Sequence, residues 1–151
     1  MVVIKVDSVK VIAALEKAGE DLPKKIELAL ETVAALGAEI ILDRTDQGRG
    51  IRGKFAPYSA KYAEAKRKGW PATKKRAKFS GDPTGVVNLQ LHKQMLSSMQ
   101  SKAKGNEGQI YFSNPFAAMK AAFNNKKRPF FGFNNPEIKE IVDKFTQVIV
   151  K

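Results

Sequence analysis

At 151 residues and 43% hydrophobic content the chain is long enough for one compact core, and two independent cores would be crowded. Lysine and arginine number 27 against 15 acids, and the resulting formal charge of +12 calls for an acidic partner: nucleic acid, an anionic surface or an acidic protein face. The absence of cysteine excludes disulfides, thiolate nucleophiles and thiolate metal sites.

The N-terminal stretch MVVIKVDSVKVIAALEKAGED is interrupted by Lys5, Asp7 and Lys10, so it holds no signal-type apolar core. No uncharged apolar run reaches bilayer length, and the expectation is a soluble protein made and used inside a cell. The β-branched run VVIKV at 2–6 predicts a strand, followed by a short helix over 9–17 that stops near Gly19. Asp21 then caps a second start, with Pro23 tolerated in the first turn. Ile26, Ala29, Leu30, Val33, Leu36, Gly37, Ile40 and Ile41 recur at helical spacing to about Asp43, which predicts a long scaffold helix with one face on a sheet.

Glycines at 48, 50 and 53 speak against a regular element over 44–55, and a short helix is expected over 58–68. Residues 70–85 read again as loop, so 44–85 forms a long, mobile, basic excursion. A helix over 89–99 follows, then strands over 99–104 and 109–113 joined by a turn at 105–108. A short alanine-rich helix covers 117–123. The aromatic run RPFFGF precedes a C-terminal helix whose predicted buried stripe is Ile138, Ile141, Val142, Phe145 and Val148. The sum is a single α+β domain over 1–151. It packs a long N-terminal helix on a small antiparallel sheet, with short helices, the basic loop and a C-terminal helix.

Catalysis has little to stand on. His92 is the only histidine, so one chain cannot build a triad or a two-histidine metal site, and no acid pair has the spacing of an acid/base couple. The glycines around Arg49 and Lys54 do not match a phosphate-binding P-loop, which ends in Gly-Lys-Ser/Thr before a helix. No cofactor or metal is expected.

The excursion is the informative region. Lys74, Lys75, Arg76 and Lys78 are candidate phosphate contacts, and Tyr58, Tyr62 and Trp70 could stack on bases. Alternatively the aromatics dock the short helix on the body, or arginines and aromatics together meet another protein. No recognition helix, zinc finger or RNA-binding strand motif accompanies the charges, which favours protein contact slightly over nucleic acid. Core packing is the favoured place for Phe130 or Phe131, with one ring left to face a neighbouring subunit.

Four segments carry a family resemblance: GKFAPYSAKYAEAK at 53–66, VNLQLHKQMLSSM at 87–99, QIYFSNPFAAMKAAFNN at 109–125 and RPFFGFNNPEIKEI at 128–141. In this order they resemble the tail-completion (head–tail joining) family of tailed bacteriophages, which includes the Mu-like virion morphogenesis proteins. The chain departs from the family pattern at Lys93, where glycine is usual, and at Phe123-Asn124-Asn125, which replaces a His-x-x-Gly ending. The resemblance implies a virion protein of a phage or prophage, without enzyme activity or membrane association and assembled in the bacterial cytoplasm. It implies a homo-oligomer, usually a hexameric ring, between the head connector and the tail tube. Arg49, Arg52, Lys54, Tyr58 and Trp70 are then the expected subunit or partner contacts, with Arg128, Phe130 and Phe131 at or under an edge. The alternative is an accessory protein that binds nucleic acid non-specifically through residues 44–80.

Overall fold

The computed structural model describes residues 1–5, 22–74, 77–89 and 94–150. The elements in chain order are β1 (Val2–Lys5), α1 (Leu22–Asp46), β2 (Arg49–Gly50), β3 (Gly53–Lys54), α2 (Ala60–Lys68), α3 (Gln94–Ser97), β4 (Met99–Lys104), β5 (Glu107–Phe112), α4 (Pro115–Lys127) and α5 (Asn135–Val150). This is the expected α+β arrangement, with the long helix on a three-stranded antiparallel sheet. The helix expected over 9–17 lies outside the described residues, as do Gln90–Lys93 of the helix expected over 89–99.

The sheet has the order β1-β5-β4, so the central strand is late in sequence and the N-terminal strand pairs with it antiparallel. β4 and β5 form a hairpin in which Lys104 faces Glu107, so the turn shrinks to Gly105-Asn106 and β5 starts earlier than expected. Gly105 takes φ 57 at the first corner, which an L side chain disfavours. Along β4 burial alternates, with Met99 buried and Gln100, Lys102 and Lys104 exposed. One face of the sheet therefore carries helix α1 and the other meets solvent, where the Lys102 ammonium lies 4.7 Å from the Tyr111 ring centre.

Two apolar clusters fill the space under α1. Ala29, Leu30 and Val33 from its first half meet Ile141, Phe145 and Ile149 of α5. Ile41 from its second half joins Leu96, Met99, Ile110, Ala117, Ala121 and Phe130. Phe133 packs against both clusters. At Gly37 the helix passes close to this ring: a Cβ would sit 2.8 Å from Phe133 Cζ and 3.0 Å from Ile110 Cδ1.

The stripe on α5 lies further round than its sequence suggests. Ile141, Phe145 and Ile149 are buried, whereas Ile138 is 47% and Val142 55% exposed. Packing of α5 against Ala29, Leu30 and Val33 of α1 decides between two apolar rows that the sequence leaves equivalent. Helix α4 is also longer than expected. Asn114 caps it by accepting from the Phe116 and Ala117 amides, and Pro115 occupies its first turn.

α1 runs to Asp46, so Arg44 is helical and not the start of a loop. Its side chain is 7% exposed and its guanidinium donates to the Phe130 carbonyl at 2.6 Å and the Gly132 carbonyl at 2.9 Å. It also forms a salt bridge with Glu137. Glu137 closes the start of α5 as well: its carboxylate accepts from the Asn134 amide at 2.9 Å, while its own amide donates to Asn134 Oδ1 at 3.0 Å. This reciprocal capping box fixes the first turn of α5 on the end of α1.

Removing either charge leaves the other buried without compensation. Arg44→Ala is expected to lose about 3–5 kcal/mol of stability. Glu137→Gln is expected to lose less, because glutamine still closes the capping box. Urea denaturation midpoints of the two variants check this order.

Candidate functional site

The basic stretch between α1 and α3 builds a shell of its own against the RPFFGF segment. The β2–β3 hairpin leaves α1 through Gly48, whose amide donates to the Thr45 carbonyl at 3.0 Å. The Ile51 amide donates to the Pro129 carbonyl at 2.9 Å. A side chain at Gly50 would lie 2.2 Å from that same carbonyl oxygen, so only glycine lets the hairpin seat there. Phe55 then turns into the core beside Phe130 and Phe131. The two-residue strands replace the irregular backbone expected over 44–55, because pairing with each other and with Pro129 satisfies the polar groups.

Arg128 ties the next residues down. Its Nε donates to the Ala56 carbonyl and its Nη2 to the Pro57 carbonyl, both at 2.9 Å. The Tyr58 ring has the Arg128 guanidinium 4.9 Å and the Lys66 ammonium 5.2 Å from its centre. Its hydroxyl accepts from the Leu89 amide at 3.2 Å. Burial, the largest influence, pushes the Tyr58 phenol above the ordinary tyrosine value, so it stays a neutral acceptor at physiological pH. Tyr62 packs edge-on against it with ring centres 4.8 Å apart.

Ser59 caps α2 by accepting from the Tyr62 amide, and Lys66, Arg67 and Lys68 lie in its last turn, where the helix dipole favours cations. Lys66 points inward and is 4% exposed. Its ammonium donates to Asn88 Oδ1 at 2.7 Å and to the Val86 carbonyl at 3.3 Å, and lies 3.2 Å from Asp82. The Thr84 hydroxyl is the main influence holding the Asp82 carboxyl below its ordinary range; burial opposes it, and the Thr84 amide and Lys66 ammonium reinforce it. Beyond α2, Trp70 and Phe79 exchange backbone bonds of 2.8 and 3.0 Å with their rings 4.9 Å apart. The Trp70 indole N–H donates to the Ala77 carbonyl at 3.1 Å. What reads as loop over 70–85 thus doubles back on itself and on Lys66.

The predicted contact residues divide accordingly. Arg49, Arg52 and Lys54 are exposed on the hairpin, with Arg49 also donating to Gln47, and Lys74 and Lys78 are exposed further along. Lys75, Arg76 and His92 lie outside the described residues. Tyr58, Trp70 and Arg128 are half-buried and engaged within the chain. Phe130 is 0% exposed, so its ring belongs to the core of the chain; Phe131 is half-buried against Phe112.

Two features have no counterpart in the sequence reading. Lys66 is an internal anchor hidden among like residues. Helix α4 shows Phe116, Met119 and Phe123 at 74%, 52% and 66% exposed, in one row at helical spacing. The signal for that row was the large apolar residue one turn apart on a helix whose inward positions are alanines.

The chain matches no family model, no curated protein and no solved structure. Among the described residues, no helix is long and apolar enough to cross a membrane.

Lys66→Ala is expected to cost about 1–3 kcal/mol and to lower amide protection over 82–89 while β4 and β5 stay protected, read by hydrogen exchange. Because the Asp82 value is lowered by folding, its contribution is complete above the ordinary aspartate range. It fades as pH falls through the lowered value, below about pH 4. Asp82→Asn should abolish that acid step in segment 82–89.

Proposed function

We propose that this protein is a structural component of a phage or prophage virion that oligomerises, as a ring, and joins the head connector to the tail. The supporting observation is how the segments that resemble tail-completion proteins meet. The stretch 53–66 is bolted to the RPFFGF segment through Arg128, Ala56, Pro57 and Tyr58, and the strand–helix segment 109–125 encloses Phe130 with them. The result is a hydrogen-bonded wall that presents Arg52 at the turn and Lys54 on the second strand of the hairpin, as an assembly contact requires. Arginine on such a projecting, backbone-anchored hairpin suits an acidic protein edge.

A second reading, contact with nucleic acid, is supported by the exposed cations Arg52, Lys54, Lys61, Arg67, Lys74 and Lys78. It is a backbone-only mode, since Tyr58 and Trp70 are engaged within the chain and base stacking falls to the half-open Tyr62.

Purified protein added to connector-bearing heads and tails should raise the number of joined particles seen by electron microscopy. Arg52→Glu with Lys54→Glu should lower joining about tenfold or more while leaving the fold intact by circular dichroism. No effect of the protein on joining, together with duplex binding whose affinity falls steeply with salt, would favour the second reading; each phosphate-contacting lysine removed should then reduce the salt slope by about 1.

A further inference from the structure

We infer that the exposed row on α4 docks on the outer face of α1 of a second copy, giving a head-to-tail contact. The inference rests on the proposed assembly function and names the two faces that would make it.

The α4 face is apolar and basic. Phe116, Met119 and Phe123 are 74%, 52% and 66% exposed, a contiguous row of the kind that monomers rarely leave uncovered. Lys120 and Lys127 lie in the same arc of the helix, and α4 contains no acidic residue. Its inward face is used up by Ala117 and Ala121 in the core, and among the described residues nothing else covers the row.

The outer face of α1 is its complement. From residue 27 to 46 the only cation is Arg44, which is buried, while Glu27, Glu31, Glu39, Asp43 and Asp46 are exposed. In a chain of net charge +12, that makes α1 the place where, among the described residues, negative surface is concentrated. Leu28, 57% exposed, stands at one end of this face, and Ala35 and Glu39 follow at helical spacing.

The two faces also agree in period. Phe116, Lys120, Phe123 and Lys127 follow the spacing of Leu28, Thr32, Ala35 and Glu39, so a parallel alignment sets Phe116 on Leu28 and Phe123 on the small Ala35. The same alignment puts Lys127 opposite Glu39 and Lys120 beside Glu31. Because the two faces differ, each copy offers one and receives on the other, and the contact propagates into a closed ring or an open filament. A foreign acidic helix or an anionic lipid surface would satisfy the α4 row alone, but would leave the matching α1 face without a reason.

The test uses the full chain in analytical ultracentrifugation over a concentration series. Wild type should associate. Phe116→Glu with Phe123→Glu should weaken association about tenfold or more, with the helical content unchanged because both side chains are exposed. Lys120→Glu with Lys127→Glu should be monomeric alone, as should Glu31→Lys with Glu39→Lys. Mixed in equal amounts these two charge variants should reassociate, since every contact in the mixture is again acid against base. Failure of the mixture to reassociate, or wild-type association that ignores all these changes, overturns the α4–α1 contact. It leaves the joining reading standing if wild type still joins heads to tails. Monomeric wild type that binds anionic vesicles through α4 also overturns the contact. A protein that neither associates nor joins heads to tails overturns both.

Discussion

The Arg44 guanidinium sits where three separate stretches of chain converge: the end of α1, the RPFFGF turn and the first turn of α5. A cation that far from water is tolerated only with an anion and well-aligned acceptors around it. Glu137 supplies the anion and is itself held by the capping box with Asn134, so the charge pair and the helix start are one unit. The carbonyls of Phe130 and Gly132 both accept from the Arg44 Nη2, which dictates the path of the chain through the aromatic run. With that path set, Phe130 is delivered into the core and Phe133 to the seam between the two apolar clusters.

The start of the basic stretch after α1 hangs from the same segment. Pro129 accepts from the β2–β3 hairpin, and Arg128 grips the residues that lead into α2. Part of the cation excess is thereby structural: Arg44, Lys66 and Arg128 hold backbone carbonyls and carboxylates inside the fold. The cations that remain outside, on the hairpin and near the Trp70–Phe79 pair, are presented by a braced support. Backbone held in this way has less entropy left to lose on meeting a partner than the same residues on a loose loop.

Legibility followed the strength of local pattern. α1 as far as Asp43 and the β4 strand were legible because period and composition agree along them, and α2 because Ser59 and Gly69 mark its ends. The hairpin at 49–54 was not, since two-residue strands carry no periodicity and their pairing is completed by Pro129, far away in sequence. The stripe on α5 was legible as a stripe but not in its rotation: Ile138 and Val142 are as apolar as Ile141 and Ile149, and only the contact with Ala29, Leu30 and Val33 chooses between them. For the site, the exposed hairpin cations could be read directly. The burial of Lys66 among exposed lysines could not, because Asp82 and Asn88 reach it only after the chain doubles back.

By itself the sequence determined the α+β class, the long helix, the hairpin of the main sheet and the concentration of positive charge between 44 and 80. These are local properties, carried by period, caps and composition. The tertiary structure decided which charges are structural and which are offered, that Phe130 is core, that the Phe116 row faces outward, and that the acids of α1 are exposed while its Arg44 is buried. Those outcomes depend on neighbours remote in sequence, and desolvation of a charge or a ring is a property of the packed surroundings rather than of the residue.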